Sequence, residues 1–180
     1  MPTQPSPSWA KKSDMLMIAT SLRQLNWSQL MALYEEGNRK NGEDLYPHLS
    51  AGQQLLHAEQ DFYDYLKNGF FIQPGDRYCL WSEAGIYVSA LRLERYQDGL
   101  LLEALETHPA YRGRGYAKKL VAAVLEGVDE KVYSHISPRN GPSLAVHKAC
   151  GFEKILNHSV YADGSVNSRC HTYRYEKTTL

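Results

Sequence analysis

The sequence predicts a mixed α/β domain packed around one sheet. Three observations lead there. Apolar residues recur with the two-residue period of strands in some segments and the 3.6-residue period of helices in others. These segments run in the order strand, two helices, three strands, helix, strand, helix, two strands. A chain of 180 residues with 43% hydrophobic side chains has the length and apolar content of one domain with its own core.

Each element has a local reason. Residues 1–12, with three prolines in the first nine, read as a disordered tail before a single domain over 13–180. Met15–Ala19 is a short buried strand. Asn26 caps the first helix, with Gln29 placed as in a capping box. Leu30, Leu33 and Tyr34 then form its apolar face, and Gly37 reads as its stop. Ser50 and Gln53 repeat the cap signal for a helix over 51–68, in which Leu55, Phe62 and Leu66 share a face. Pro74-Gly75-Asp76 is a turn. Strands follow over Arg77–Ser82, Ile86–Arg95 and Leu100–Thr107, the last two joined at Gln97-Asp98-Gly99. The period changes again at Tyr116, where Tyr116, Leu120 and Val124 line one helix face up to Gly127. Lys131–Ile136 is a strand, and Asn140 caps a short helix that ends at Gly151. Ile155–Tyr161 and Arg169–Tyr175 read as a closing hairpin around Asp163-Gly164.

Composition excludes several classes. Lys+Arg and Asp+Glu are 20 each, so the net charge is zero, which argues against a nucleic-acid partner held by bulk charge. No apolar run approaches the roughly 18 residues of a spanning helix, and no signal-peptide pattern is present, so no membrane partner is expected. Cys79, Cys150 and Cys170 form no CxxC pair. They read as free thiols of a cytoplasmic protein with no metal site.

The chemistry concentrates in Arg112-Gly113-Arg114-Gly115-Tyr116-Ala117, directly after a strand and at the start of a helix. The first amides of a helix lack internal partners and sit at the positive end of its dipole. Glycines let an anion approach that backbone, so these amides form a phosphate cradle, with Arg112 and Arg114 adding charge. The P-loop pattern is absent, and Lys118 occupies the last position of a dinucleotide fingerprint.

The hexapeptide fits [QR]-x-x-G-x-[GA], and Thr107-His108-Pro109-Ala110-Tyr111 precedes it as V-x-P-x-Y-R would. Downstream, residues 140–152 are similar to N-x-x-[AS]-x-x-x-Y-x-x-x-G-F. Together these motifs resemble those of the GNAT superfamily of acyl-CoA N-acyltransferases. The resemblance implies a mixed, mostly antiparallel sheet of about seven strands, splayed between the fourth and fifth, with about four flanking helices. It also implies acetyl-CoA as acyl donor. The pantetheine arm would lie along Leu105, Glu106 and Thr107, with a backbone N–H near Thr107 polarising the thioester carbonyl, and the pyrophosphate on the amides of Arg112, Gly113, Arg114, Gly115, Tyr116 and Ala117. Asn140, Ser143 and His147 would share the helical face aimed at the cofactor.

His147 stands where the family usually has a tyrosine acid. A thiol such as that of free Cys has a pKa of about 8.5 and imidazole one of about 6.5, so His147 is a candidate donor to the leaving thiolate. Glu103 and Glu106 are the candidate bases for the acceptor amine, Glu103 preferred. Three positions apart, they point to opposite faces of a regular strand, unless a bulge intervenes. The activity implied is acetyl transfer to a primary amine of an unidentified acceptor, by direct attack in a ternary complex. A non-catalytic acyl-CoA-binding module stays open as the alternative, and a homodimer is allowed by family analogy alone.

Overall fold

A computed structural model describes residues 15–177. The expected tail over residues 1–12 lies outside the described residues. Nine strands and four α-helices are present among the described residues: β1 (Met15–Ala19), α1 (Trp27–Leu45), α2 (Ala51–Tyr65), β2 (Arg77–Glu83), β3 (Ile86–Tyr96), β4 (Gly99–Thr107), α3 (Tyr116–Glu126), β5 (Lys131–Ile136), α4 (Gly141–Ala149), β6 (Glu153–Leu156), β7 (Ser159–Val160), β8 (Val166–Asn167) and β9 (His171–Tyr175). Seven strands form one sheet in the order β1-β2-β3-β4-β5-β9-β6, and β7 and β8 form a separate ladder. All neighbours in the main sheet are antiparallel except β4 and β5.

Both faces of the sheet are covered. Leu30 and Leu33 of α1 pack with Leu66 and Phe70 on Tyr78, Leu80 and Ala90. On the other face, Leu120, Val121, Val124 and Leu125 of α3 pack on Leu91, Leu93, Leu100, Leu102 and Val132. α3 has 11 residues, too few for independent stability in water. Burial of its apolar side chains, roughly 1.5–3 kcal/mol for each large one, holds it in place.

The single parallel contact shapes the molecule. β4 and β5 pair through three registers only, Gly99 with Lys131, Leu100 with Val132 and Leu101 with Tyr133. The strands meet there because Gly99 has no side chain: a Cβ would overlap the Lys131 carbonyl oxygen. Beyond Leu101 they part, and the Ser134 hydroxyl donates to the Leu102 carbonyl at 3.2 Å, satisfying the first group the ladder abandons.

Several boundaries differ from the sequence expectation. α1 does not stop at Gly37 but runs to Leu45. The local cost of a helical glycine, about 1 kcal/mol, is offset by packing beyond it, where Asn38 and Gly42 are buried and Gly42 lies against the Gln54 backbone. Asn26 accepts from the Gln29 amide at 3.1 Å, but Gln29 does not close the capping box. Its side chain crosses to Tyr87 N and Gly85 O, while the Tyr87 hydroxyl takes the Asn26 amide. α2 ends at Tyr65 and continues as one wide π-helical turn, Leu66–Phe70. The closing hairpin is split. β6 pairs with β9 in the sheet, whereas the turn at Asp163-Gly164 closes the small β7–β8 ladder.

Gly99→Ala forces β4 and β5 apart at the first rung of their short ladder. Urea denaturation should show a loss of about 1–3 kcal/mol, the range for overpacking a tight site.

Candidate active site

The site begins with an extra residue in β4. Ala90 of β3 faces Glu106 and Arg92 faces Glu103, so two steps on β3 span three on β4. The surplus is a β-bulge at Ala104, whose φ of +49° lies in the left-handed region. Such a conformation is unfavourable for alanine, and a bond from α1 secures it: the Tyr34 hydroxyl donates to the Ala104 carbonyl at 2.7 Å. Burial pushes the Tyr34 pKa up, which keeps this hydroxyl protonated and donating. The bulge also settles the orientation of the two glutamates. Being opposite Arg92 and Ala90, Glu103 and Glu106 lie on one face of the sheet, toward α1, rather than on opposite faces.

The turn into α3 supplies the other half of the site. Gly113 and Gly115 adopt φ of +76° and +79°, a conformation that glycine takes without steric cost. Nothing lies within 4 Å of where a Cβ would stand at either residue. Their backbone is therefore open to a cleft of about 630 Å³, into which the first turn of α3 faces. Leu105, Glu106 and Thr107 of β4, Arg112, Gly113, Gly115, Tyr116 and Ala117 of the turn, and Asn140 and Ser143 of α4 line this cleft. Asn140 is held there by its cap, its Oδ1 accepting from the Ser143 amide at 3.2 Å.

Three expected residues lie outside this lining: Arg114, His147 and Glu103. Arg114 stacks on the Tyr111 ring at 5.2 Å, outside the lining. His147 does not face the cleft: it is 1% exposed and lies edge-on to Phe152. Its Nδ1 donates to the Ser143 carbonyl at 2.8 Å and lies 3.2 Å from the Ser143 hydroxyl. Nε2 is buried without a partner. The imidazole is short enough to fold back on its own helix, so Asn140 and Ser143 reach the cleft and His147 does not. Burial lowers its pKa, with the Ser143 carbonyl opposing that shift, so the ring is neutral at pH 7.

The charged groups divide into two sets. Glu106 is committed: its Oε1 accepts from the Thr107 amide at 3.2 Å and from Arg112 Nη2 at 3.1 Å. This also occupies the Thr107 amide, one of the backbone N–H groups in the stretch expected near the thioester. Arg112 is tied further to Glu36 at 2.8 Å and to the Thr107 carbonyl at 3.2 Å, so it braces the turn. Glu103 belongs to the second set. Its carboxylate lies 3.5 Å from Arg92, which is itself stacked on Tyr65 at 4.9 Å. Tyr65 donates to Glu94 at 2.8 Å. Burial and the negative charge of Glu94 push the Glu103 pKa up to about 7, against the pull of Arg92. A carboxyl poised there is suited to take a proton near neutral pH.

Sequence reasoning missed Glu94, Tyr34 and Lys118. Lys118 lines the cleft and had a signal, since it displaces the last glycine of the dinucleotide pattern. Tyr34 was hidden in an apolar stripe, and only its hydroxyl marked it. Among the described residues no cluster of three or more His, Cys, Asp or Glu is placed to hold a metal. No helix among them is long and apolar enough to cross a membrane.

Comparison with known proteins bears on this arrangement. The sequence model of the acetyltransferase (GNAT) family matches residues 27–152. Aminoglycoside N(6')-acetyltransferase type 1 of Salmonella enteritidis is 31% identical over 141 residues, which cover 74% of this chain and 91% of that one. The enzyme of the same name from Salmonella typhimurium strain LT2 is 32% identical over 112 residues, covering 59% and 72%. Among solved structures, a GNAT-family acetyltransferase from Streptococcus agalactiae superposes with a TM-score of 0.60 at 18% identity, over 91% of this chain and 96% of that one. PaiA N-acetyltransferase of Thermoplasma acidophilum, solved in complex with coenzyme A, gives 0.58 at 10% identity, over 91% and 99%.

The buried, neutral His147 makes stability depend on pH. The unfolded chain takes up the imidazole proton at a higher pH than the folded one, so this contribution is present above about pH 6.5 and declines as pH falls. In a Glu103→Gln background, which removes the opposing contribution of the raised Glu103 pKa, the urea midpoint should drop from pH 7.5 to pH 5.5, and the drop should be smaller when His147→Gln is added.

Proposed function

The chain belongs to the GNAT acetyltransferase family, and we propose that it transfers an acetyl group from acetyl-CoA to a primary amine of a small acceptor, by direct attack in a ternary complex. The observation that carries this reading is the cleft between the splayed strands, with the open, glycine-lined N-terminus of α3 on one side and Asn140 and Ser143 on the other. Helix amides suit a pyrophosphate, and Lys118 adds a cation to the lining. The flank of β4 past Leu101, which forms no ladder with β5, suits a pantetheine arm added like a strand. That brings the thioester toward Leu105–Thr107.

In this reading the amine approaches from the α1 face, where the bulge presents Glu103. Glu103 takes the amine proton, directly or through a water. The C–N bond forms, the C–S bond breaks, and the electron pair leaves with the sulfur. Glu103 is preferred over Glu106 because burial and Glu94 push its pKa up to about 7, whereas Glu106 is already engaged by the Thr107 amide and Arg112. His147 supports α4, and the Ser143 hydroxyl, which lines the cleft, is the group assigned to hydrogen-bond the leaving thiolate. The curated relatives named for acetylating an aminoglycoside nitrogen support an amine acceptor.

Calorimetry with acetyl-CoA tests the donor site. Binding in the micromolar range is expected, and Gly115→Glu should abolish it without unfolding the protein by circular dichroism. Absence of binding by the folded wild type would sink the reading. Glu103→Gln should lower kcat/KM for the amine about a hundredfold or more and remove the acid limb of the pH profile near pH 7, where rate falls as the base protonates. Loss in Glu106→Gln with retention in Glu103→Gln would exchange the two roles.

A further inference from the structure

The loop that enters α4 has a second cavity on its far side. Its volume is about 580 Å³, and it is lined by Ser137, Pro138 and Arg139 after β5 and by Ser168 and Arg169 before β9. The two segments meet because Ile136 and His171, at the adjoining strand ends, are register partners. Arg39, Arg92, Arg95, Arg112 and Arg174 each lie beside a carboxylate. Arg139 and Arg169 have no ion pair among the described residues, and no carboxylate lines their cavity. Two unpaired guanidinium groups and two hydroxyl-bearing residues around one cavity match an oxyanion, since a guanidinium presents paired donors to a carboxylate or phosphate.

Its place in the fold says whose oxyanion. β5 runs parallel to β4, so its carboxyl end lies beside the splayed end of β4. Asn140 lines the cleft on the β4 side, while the preceding Arg139 lines the cavity on the β9 side. The donor's phosphates already have a cradle across β4, at the start of α3. We propose that Arg139 and Arg169 bind a carboxylate or phosphate carried by the acceptor, which is therefore a zwitterionic small molecule: an amine directed to Glu103 and an anion seated between the two arginines. This rests on the acetyl-transfer reading and refines it. An acceptor that carries only positive charge would meet two uncompensated cations at this end of the groove, an arrangement that selects against it.

The test uses matched amines. L-Lysine against cadaverine reports a carboxylate, and phosphoethanolamine against ethanolamine reports a phosphate, with CoA thiol release as the signal. In at least one pair the member that carries the anionic group should be used with a kcat/KM about tenfold or more above the member that lacks it, the size of a charged hydrogen bond. Arg139→Gln and Arg169→Gln should each reduce that preference while leaving kcat/KM for the amine without the anionic group, and the Kd for CoA, within about twofold. No preference in either pair, or a preference unaltered in both variants, overturns the proposal. Weaker CoA binding in the variants overturns it too, and assigns the cavity to a donor phosphate. NMR of the arginine side chains, titrated with inorganic phosphate and with acetate, reads the site without turnover. Shifts absent from wild type defeat the anion site even if amines are acetylated. Shifts present in wild type with no amine turned over defeat the acceptor assignment together with the acetyl-transfer reading.

Discussion

β4 and β5 touch through three parallel rungs and then separate, and the site exists because that ladder ends where it does. Gly99 allows the strands to meet at one end. At the other, the bulge at Ala104 re-aims β4 without breaking its pairing to β3. A sheet is normally a continuous surface in which every backbone group finds its neighbour. Here the discontinuity is repaired piecemeal: Ser134 takes the Leu102 carbonyl and Tyr34 takes the Ala104 carbonyl. What is left is a flank of strand beside a cleft. Fold and site are thus one feature, since a sheet that paired fully would have no room for a ligand between its strands.

The electrostatics follow from the same break. Once the bulge places Glu103 and Glu106 on one face, their roles are separated by what each one meets. Glu106 finds Arg112 and the Thr107 amide, which both hold its Oε1 and tie it to the turn into α3. Glu103 meets burial and Glu94, which disfavour the charged form, with Arg92 only partly compensating. Two carboxyl groups three residues apart thereby serve as a fixed brace and a titratable group. Arg92, stacked on Tyr65 and near Phe70, keeps the second environment from becoming too costly to fold.

Much of this was legible in the sequence where the cause is local. The glycines before α3, the asparagine cap of α4 and the limits of β5 each follow from residues within one turn of the feature. The bulge was not legible in the same way, because the hydroxyl that secures Ala104 comes from Tyr34, 70 residues away in sequence. Gly37 misled for the reverse reason: a local breaker is overridden by packing of α1 on α2. Periodicity grouped His147 with Asn140 and Ser143, yet Val146 lines the cleft and His147 is buried against Phe152. Its imidazole bonds to the Ser143 carbonyl four residues back, a contact that spacing alone does not announce. The split of the last hairpin depends on β6 and β9 joining the sheet through β5, which no property of residues 155–175 announces.

The bond from Tyr34 to Ala104 has a consequence for how such a molecule can diversify. In the proposed reading α1 belongs to the layer that faces the acceptor, so it is the natural place for a lineage to try new side chains. One position in that helix is nevertheless not free to vary, because it serves the strand beneath. A change at the exposed Glu35 or Arg39 alters a solvated ion pair, whereas a change at Tyr34 removes the donor that holds the bend in β4. Selection for a new acceptor can therefore explore the outer surface of α1 cheaply while inheriting its inner contact as a fixed term, and libraries built on this scaffold meet the same boundary.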